Sequence, residues 1–340
     1  VNAQAELAAT AQALVAAGKG LLAADESFPT IGKRFAALHI PDTADTRRAY
    51  REMLFTTPGL NRFISGVILF DETLHQTIGG EPVPVFLAQQ GLIPGIKVDA
   101  GAVDMPGHPG EKITQGFEGL RERLDAYRKL GARFTKWRAV MAVGEKLPTS
   151  AALTANAHAL ALFASLSQEA GLVPIVEPEV LMDGNHTLAR CADVTRDTLN
   201  TVFEALAAHQ VDLEGMLLKT GMVLPGADCP EQADAKAIAT ATLRILIETV
   251  PAAVPGVVFL SGGQGDIDAT ARLNAISQAG GMPWKLTFSY GRALQDAAMK
   301  TWAGASANVP AAQAALENRA RCNSLAARGK YSAGAENAAA

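Results

Sequence analysis

The chain has 340 residues, 49% of them hydrophobic and 19% charged, with a net charge of −4. That length suits one large α/β domain or two ordinary ones, and the balance excludes a disordered or fibrous protein. The charge gives no reason to expect a nucleic-acid partner. Cys191, Cys229 and Cys322 are too few and too scattered for a disulfide framework or a CxxC metal site, so reduced thiols in the cytoplasm are expected.

Ala5 to Ala17 is Ala/Leu-rich with polar interruptions, which predicts an ordinary N-terminal helix; it lacks the basic start and cleavage pattern of a secretory signal. No apolar run approaches the roughly 18 residues of a membrane span, so no membrane partner is expected. Buried parallel strands are predicted at Gly20–Ala24, Ile64–Phe70, Ile93–Val98, Phe134–Val140, Val173–Val176, Met216–Lys219, Val257–Leu260 and Leu286–Tyr290. They are short, rich in Val, Ile, Leu and Phe, and bounded by Gly or Pro, as strands covered on both faces are. Between them lie amphipathic stretches such as Thr149–Ala170, Thr195–Gln210 and Gln232–Thr249, which read as helices. Such alternation calls for a parallel sheet, and eight repeats suit a closed (β/α)8 TIM barrel of the α/β class; a doubly wound open sheet is the alternative. Residues 1–327 therefore read as a single barrel domain with an N-terminal helix. Residues 328–340, Gly/Ala/Ser-rich with little to bury, read as a flexible C-terminal tail.

The C-terminal ends of the runs carry Asp25 and Glu26, Asp71 and Glu72, Lys97 and Asp99, Lys136 and Arg138, Glu177 and Glu179, Lys219, Ser261, and Ser289 with Arg292. In a barrel these ends converge on the face where chemistry is placed, so they describe one polar pocket. A lysine alone on an apolar strand ordinarily snorkels to solvent. Among such partners, Lys219 reads instead as a nucleophilic amine able to form a Schiff base, with Lys136 as a second cation and Glu177 as an acid and base. Lys136 and Arg138 share one side of their strand by alternation, as do Glu177 and Glu179, with Pro178 stiffening a turn between the two glutamates. Ser261 with Gly262, and Gly291 with Arg292, offer backbone N–H groups and a guanidinium at neighbouring ends, a fit for a phosphate.

Taken together, Leu21-Leu22-Ala23-Ala24-Asp25-Glu26-Ser27, Gly66-Val67-Ile68-Leu69-Phe70, Gly95-Ile96-Lys97-Val98-Asp99, Lys136-Trp137-Arg138, Val173-Pro174-Ile175-Val176-Glu177-Pro178-Glu179, Phe259-Leu260-Ser261-Gly262-Gly263-Gln264 and Phe288-Ser289-Tyr290-Gly291-Arg292-Ala293-Leu294 closely resemble the class I, Schiff-base fructose-bisphosphate aldolases. The resemblance runs from Gly18 to Tyr331. It implies a cytoplasmic lyase of glycolysis and gluconeogenesis, a homotetramer, that needs no metal or other cofactor. Its reaction is the reversible cleavage of fructose 1,6-bisphosphate to dihydroxyacetone phosphate and glyceraldehyde 3-phosphate. The resemblance makes Lys219 the Schiff-base lysine, Glu177 the acid and base for the imine, and Asp25 the acceptor of the C4 hydroxyl proton. Lys136 is then the neighbouring cation, and Glu179 with Arg138 completes the charge network. One phosphate falls to Ser261, Gly262, Gly291 and Arg292, the other to Ser27, Thr30, Arg34 and Lys97.

Three departures qualify the match. Thr220-Gly221 stands where many relatives read Pro-Asn, which predicts a looser loop after the sixth strand. Phe28-Pro29-Thr30 stands where animal relatives read Thr-Gly-Ser. The C-terminal tyrosine that folds over the site in animal enzymes is missing, since the chain ends in Ala338-Ala339-Ala340 and its last tyrosine is Tyr331. Three other roles compete: a metal-dependent aldolase, for which His39, His75, His108, His158, His186 and His209 are too scattered; a noncatalytic scaffold; and the same chemistry on fructose 1-phosphate or sedoheptulose bisphosphate.

Overall fold

Eight short parallel strands alternate with helices and close on themselves in the computed structural model, which describes residues 3–337. The barrel strands are β1 (Gly20–Ala24), β2 (Ile64–Leu69), β3 (Ile93–Lys97), β4 (Phe134–Met141), β5 (Val173–Val180), β6 (Leu217–Thr220), β7 (Gly256–Phe259) and β8 (Lys285–Tyr290). β1 pairs with both β2 and β8, so no edge remains and the open-sheet alternative falls away. All eight predicted strands are found.

The largest error in a strand boundary is instructive. β5 runs four residues past its predicted end, and Glu177-Pro178-Glu179 forms part of the strand, in register with Arg138, Ala139 and Val140, rather than a turn. β5 meets β6 only through Ile175 and Val176, so Pro178 lies where one side of the strand is unpaired and a missing N–H is tolerated. The Leu188–Ala208 helix likewise begins seven residues before its predicted Thr195 start, with the Thr187 hydroxyl accepting from Arg190 N at 3.2 Å. Thr149 and Asp234 cap the Ser150–Glu169 and Ala235–Thr249 helices in the same way, accepting from Ala152 N and Ala237 N.

Side chains alternate across each strand, and the two faces build two cores. Outward residues such as Leu22, Val67, Trp137, Val176 and Leu218 pack beneath the helices. Inward residues Leu21, Ala23, Ile68, Phe134, Val173, Ile175, Leu217 and Val258 fill the lower barrel, and Leu7, Ala11, Leu14 and Val15 of the N-terminal segment close it from below. The N-terminal helix, Ala3–Leu14, is thus the floor of the barrel. Two hairpins that the pattern did not predict, Thr77–Ile78 with Glu81–Pro82 and Gly101–Asp104 with Lys112–Gln115, sit in loops at the strand ends.

The loop after β6 is buried from Met222 to Gly226, against the expectation of looseness. Val223 N donates to Thr242 Oγ1 at 3.0 Å and Gly226 N donates to His186 O at 2.8 Å. Tertiary hydrogen bonds replace whatever stiffness a proline would add. Of the predicted tail, Tyr331 O–H donates to Glu336 at 2.7 Å, Glu336 pairs with the buried Arg319, and Ala333–Asn337 forms a 3-10 turn. Ala338, Ala339 and Ala340 lie outside the described residues.

Candidate active site

Two residues further along the inward rows, apolar side chains give way to charged ones. Ala23 is followed by Asp25, Phe134 by Lys136, Ile175 by Glu177 and Leu217 by Lys219, all lining a cavity of about 690 Å³ at the C-terminal ends of the strands. Trp137, pointing outward between Lys136 and Arg138, is fully buried against Phe117 and Phe163 and fixes the face that β4 presents.

Lys219 is 4% exposed, and its Nζ is 3.1 Å from Glu177 Oε1. Lys136 Nζ bridges the two acids, 3.1 Å from Glu177 Oε2 and 2.6 Å from Asp25 Oδ2. Two buried ammonium groups thus alternate with two carboxylates, and each charge has an opposite neighbour. Burial alone would lower the Lys136 pKa, but Asp25, Glu177 and Asp99 outweigh it and hold this ammonium well above the usual lysine range. Burial likewise pushes the Asp25 and Glu177 carboxyls up, and Lys136 and Lys219 overcome it, so both lie below the usual carboxylate range. Both acids are therefore ionised in the resting site.

The outer groups are tied in turn. Arg138 Nε donates to Glu179 at 2.5 Å, and Arg138 N donates to Asp99 Oδ2 at 3.3 Å. Lys97 lines the cavity with its ammonium engaged by the Asp99 carboxylate and by Asp99 O at 2.7 Å. Arg34 also lines it, with its guanidinium engaged by Glu26 at 2.6 Å, Asp296 at 2.9 Å and Gln295 at 3.2 Å. Ser27 and Thr30 join hydroxyls at 3.1 Å on the same rim.

On the opposite rim Ser261, Gly262, Gly291 and Arg292 come together. Gly262 and Gly263 have φ of 56° and 93°, a left-handed turn that any side chain would strain. Arg292 opens the Arg292–Trp302 helix, so its guanidinium and the helix N-terminus point one positive end at this rim. Ser289, a strand-end residue without an assigned role in the sequence, is 1% exposed, lines the cavity and has an Oγ with no hydrogen-bond partner.

Asp71 and Glu72 belong to the strand-end set but do not line this cavity: Asp71 accepts from Tyr127 O–H at 2.7 Å, and Glu72 holds Arg47 at 2.7 Å. Sequence reasoning also missed the support of the Asp25–Thr30 turn. Arg51 is buried and donates to Glu26 O at 2.9 Å and Thr73 Oγ1 at 2.8 Å. Phe28 meets Phe70 edge to face at 5.1 Å, with the Arg47 guanidinium 4.6 Å from its ring. The available signal was Arg47 and Arg51 four apart on one helix face, a cationic row that needs acids. Among the described residues, no group of three or more His, Cys, Asp or Glu is placed to hold a metal ion.

A family model described as "Fructose-bisphosphate aldolase class-I" matches residues 6–340. The chain belongs to the class I fructose-bisphosphate aldolases. A probable class 1 aldolase of Xylella fastidiosa is 54% identical over 328 residues, spanning 96% of this chain and 98% of that protein. The aldolase of Dictyostelium discoideum is 53% identical over 330 residues, 96% of this chain and 92% of its own. A solved aldolase structure from Plasmodium falciparum superposes with a TM-score of 0.97 at 49% identity, covering 98% of this chain and 97% of that one. This aldolase is accordingly a lyase built on a single eight-stranded barrel.

Proposed function

We propose that this aldolase cleaves fructose 1,6-bisphosphate reversibly through a Schiff base on Lys219, without a metal, in cytoplasmic glycolysis and gluconeogenesis. The observation that carries the reading is the Glu177 carboxylate lying 3.1 Å from Lys219 Nζ. Glu177 takes the ammonium proton, and the freed amine attacks the C2 carbonyl. The same proton then goes to the carbinolamine hydroxyl, which leaves as water and gives the iminium. Asp25 next takes the C4 hydroxyl proton. The C3–C4 electron pair moves to the iminium nitrogen, releasing the aldehyde and leaving an enamine. The iminium is the electron sink, so the cleavage step has no need of a Lewis acid. Protonation of the enamine at C3 and hydrolysis of the imine complete the cycle.

Lys136 holds both acids in place and ionised. Glu179 and Arg138 brace the wall beside them, and the two rims anchor the phosphates so that the hydroxyl meets Asp25 in reacting geometry. Ser261, Gly262, Gly291 and Arg292 take one phosphate. Ser27 and Thr30 take the other, with Arg34 and Lys97 adding positive charge from within their ion pairs. The three cysteines are free and buried, which accords with a reducing compartment. The homotetramer implied by the resemblance is tested by sedimentation at several concentrations.

Borohydride reduction with dihydroxyacetone phosphate, followed by peptide mass mapping, tests the chemistry. The expected result is one adduct on Lys219. No adduct, or one on another lysine, sinks the proposal.

A further inference from the structure

Away from the catalytic cavity, one pair of metal-ligating side chains meets directly. His158 lies on the exposed side of the Ser150–Glu169 helix, and His209 directly follows the Leu188–Ala208 helix, whose C-terminal end leads back toward the barrel floor. His209 Nε2 is 3.0 Å from His158 Nδ1, with ring centroids 4.9 Å apart and ring planes at 87°. We propose that this pair is a binding site for a divalent transition-metal ion that prefers tetragonal coordination, of the Cu(II) or Ni(II) kind, joining two neighbouring barrel helices.

The spacing supports the choice of ion. Two nitrogens that keep their 3.0 Å separation as the rings turn, each about 2.0–2.1 Å from a shared metal, would subtend an angle of about 94°, close to the cis angle of tetragonal Cu(II) or Ni(II). Tetrahedral Zn(II) asks for about 109°, which would spread the same nitrogens to roughly 3.3 Å. A neutral imidazole has one N–H and one lone pair, so the donor ring must move its proton to its outer nitrogen before both facing nitrogens can ligate. That is a tautomer change with no net proton lost. Both side chains must also adjust their torsions so that the lone pairs converge on one ion. His158 is exposed and His209 half-exposed, so both rings have room, and solvent supplies the remaining ligands. The helices hold the two nitrogens together before any ion arrives, which reduces the ordering cost of binding.

The test uses the full chain stripped of metal with chelator. Cu(II) is followed by electron paramagnetic resonance, and Ni(II) and Zn(II) by calorimetry. One saturable site per chain with two nitrogen ligands is expected, with Ni(II) bound more tightly than Zn(II). His158→Ala and His209→Ala should each weaken it by at least about tenfold, since loss of a ligand costs no less than loss of a group that merely orients one. Neither residue lines the catalytic cavity, so retained aldolase activity in both variants verifies their fold. Absence of saturable binding, or affinity unchanged by either substitution, overturns the proposal.

Discussion

The lower and upper halves of the barrel interior are built on the same rows of the same strands, yet they do opposite things. Below, Phe134, Ile175, Leu217 and Ala23 interlock with Leu7 and Leu14 into an apolar plug. Above, one alternation further on, Lys136, Glu177, Lys219 and Asp25 hold four charges at the base of the cavity. The plug tolerates loss of a group as a cavity, with a graded loss of stability. The charged layer does not, because each member neutralises another and removal leaves an uncompensated charge.

Substitutions separate the two halves, and the largest effect belongs above. Lys219→Met should abolish turnover, by about 10⁵-fold or more, as removal of a covalent nucleophile does, and leave no borohydride adduct. Residual cleavage within tenfold of the parent enzyme would remove Lys219 from the chemistry. Lys136→Met should cost about 3–5 kcal/mol of stability in denaturant titration, because Asp25 and Glu177 lose their shared cation.

The same variant carries a pH signature. Asp25 and Glu177 have folded pKa values below their ordinary 3.8 and 4.5, so their contribution to stability is present above those values and fades as pH falls through the depressed ones. Without Lys136 the depression is relieved. The acid limbs of both stability and kcat/KM should therefore move to higher pH. An unmoved acid limb would show that Lys136 does not set the protonation of these acids.

Below, Phe134→Ala should cost about 3–5 kcal/mol in stability, with kcat at moderate temperature within about twofold of the parent. A large loss of kcat in a folded variant would mean that the plug also tunes the charged layer. Smaller effects belong to the rims. Ser27→Ala with Thr30→Ala should raise KM for fructose 1,6-bisphosphate by about tenfold and leave kcat nearly unchanged. Smallest of all, a chain cut after Tyr331 should change tritium exchange from dihydroxyacetone phosphate by less than about threefold. The Ala333–Asn337 turn docks through Glu336 on Arg319, and none of its residues lines the cavity. A large loss of exchange would give the tail a part in moving the enamine proton.

The charged layer was legible because alternation and strand ends are local: once eight apolar runs were seen, Asp25, Lys136, Glu177 and Lys219 fell at equivalent places. Less legible was whatever depends on partners far apart in the chain. Nothing near Pro178 in sequence reveals that β5 has lost its β6 neighbour there, and nothing near Thr220-Gly221 reveals the Thr242 and His186 bonds that fix the loop. Arg34 was placed at a phosphate by the resemblance, and nothing near it in sequence reveals its ties to Gln295 and Asp296, some 260 positions away. Arg51 was overlooked for the related reason that its acceptors are a main-chain carbonyl, Glu26 O, and a hydroxyl, Thr73 Oγ1, each more than twenty positions away.

The pairing of two ammonium groups with two carboxylates carries one further consequence, which concerns electrical neutrality. At rest the four groups cancel. When Glu177 takes the Lys219 proton, two opposite charges vanish together, and when the iminium forms and Glu177 gives its proton to the departing water, both return. At cleavage the positive nitrogen becomes a neutral enamine in the same step that Asp25 becomes a neutral acid. Along the proposed route, the buried floor of the cavity never gains or loses a net charge, so no step asks the low-dielectric interior to solvate one it did not already hold.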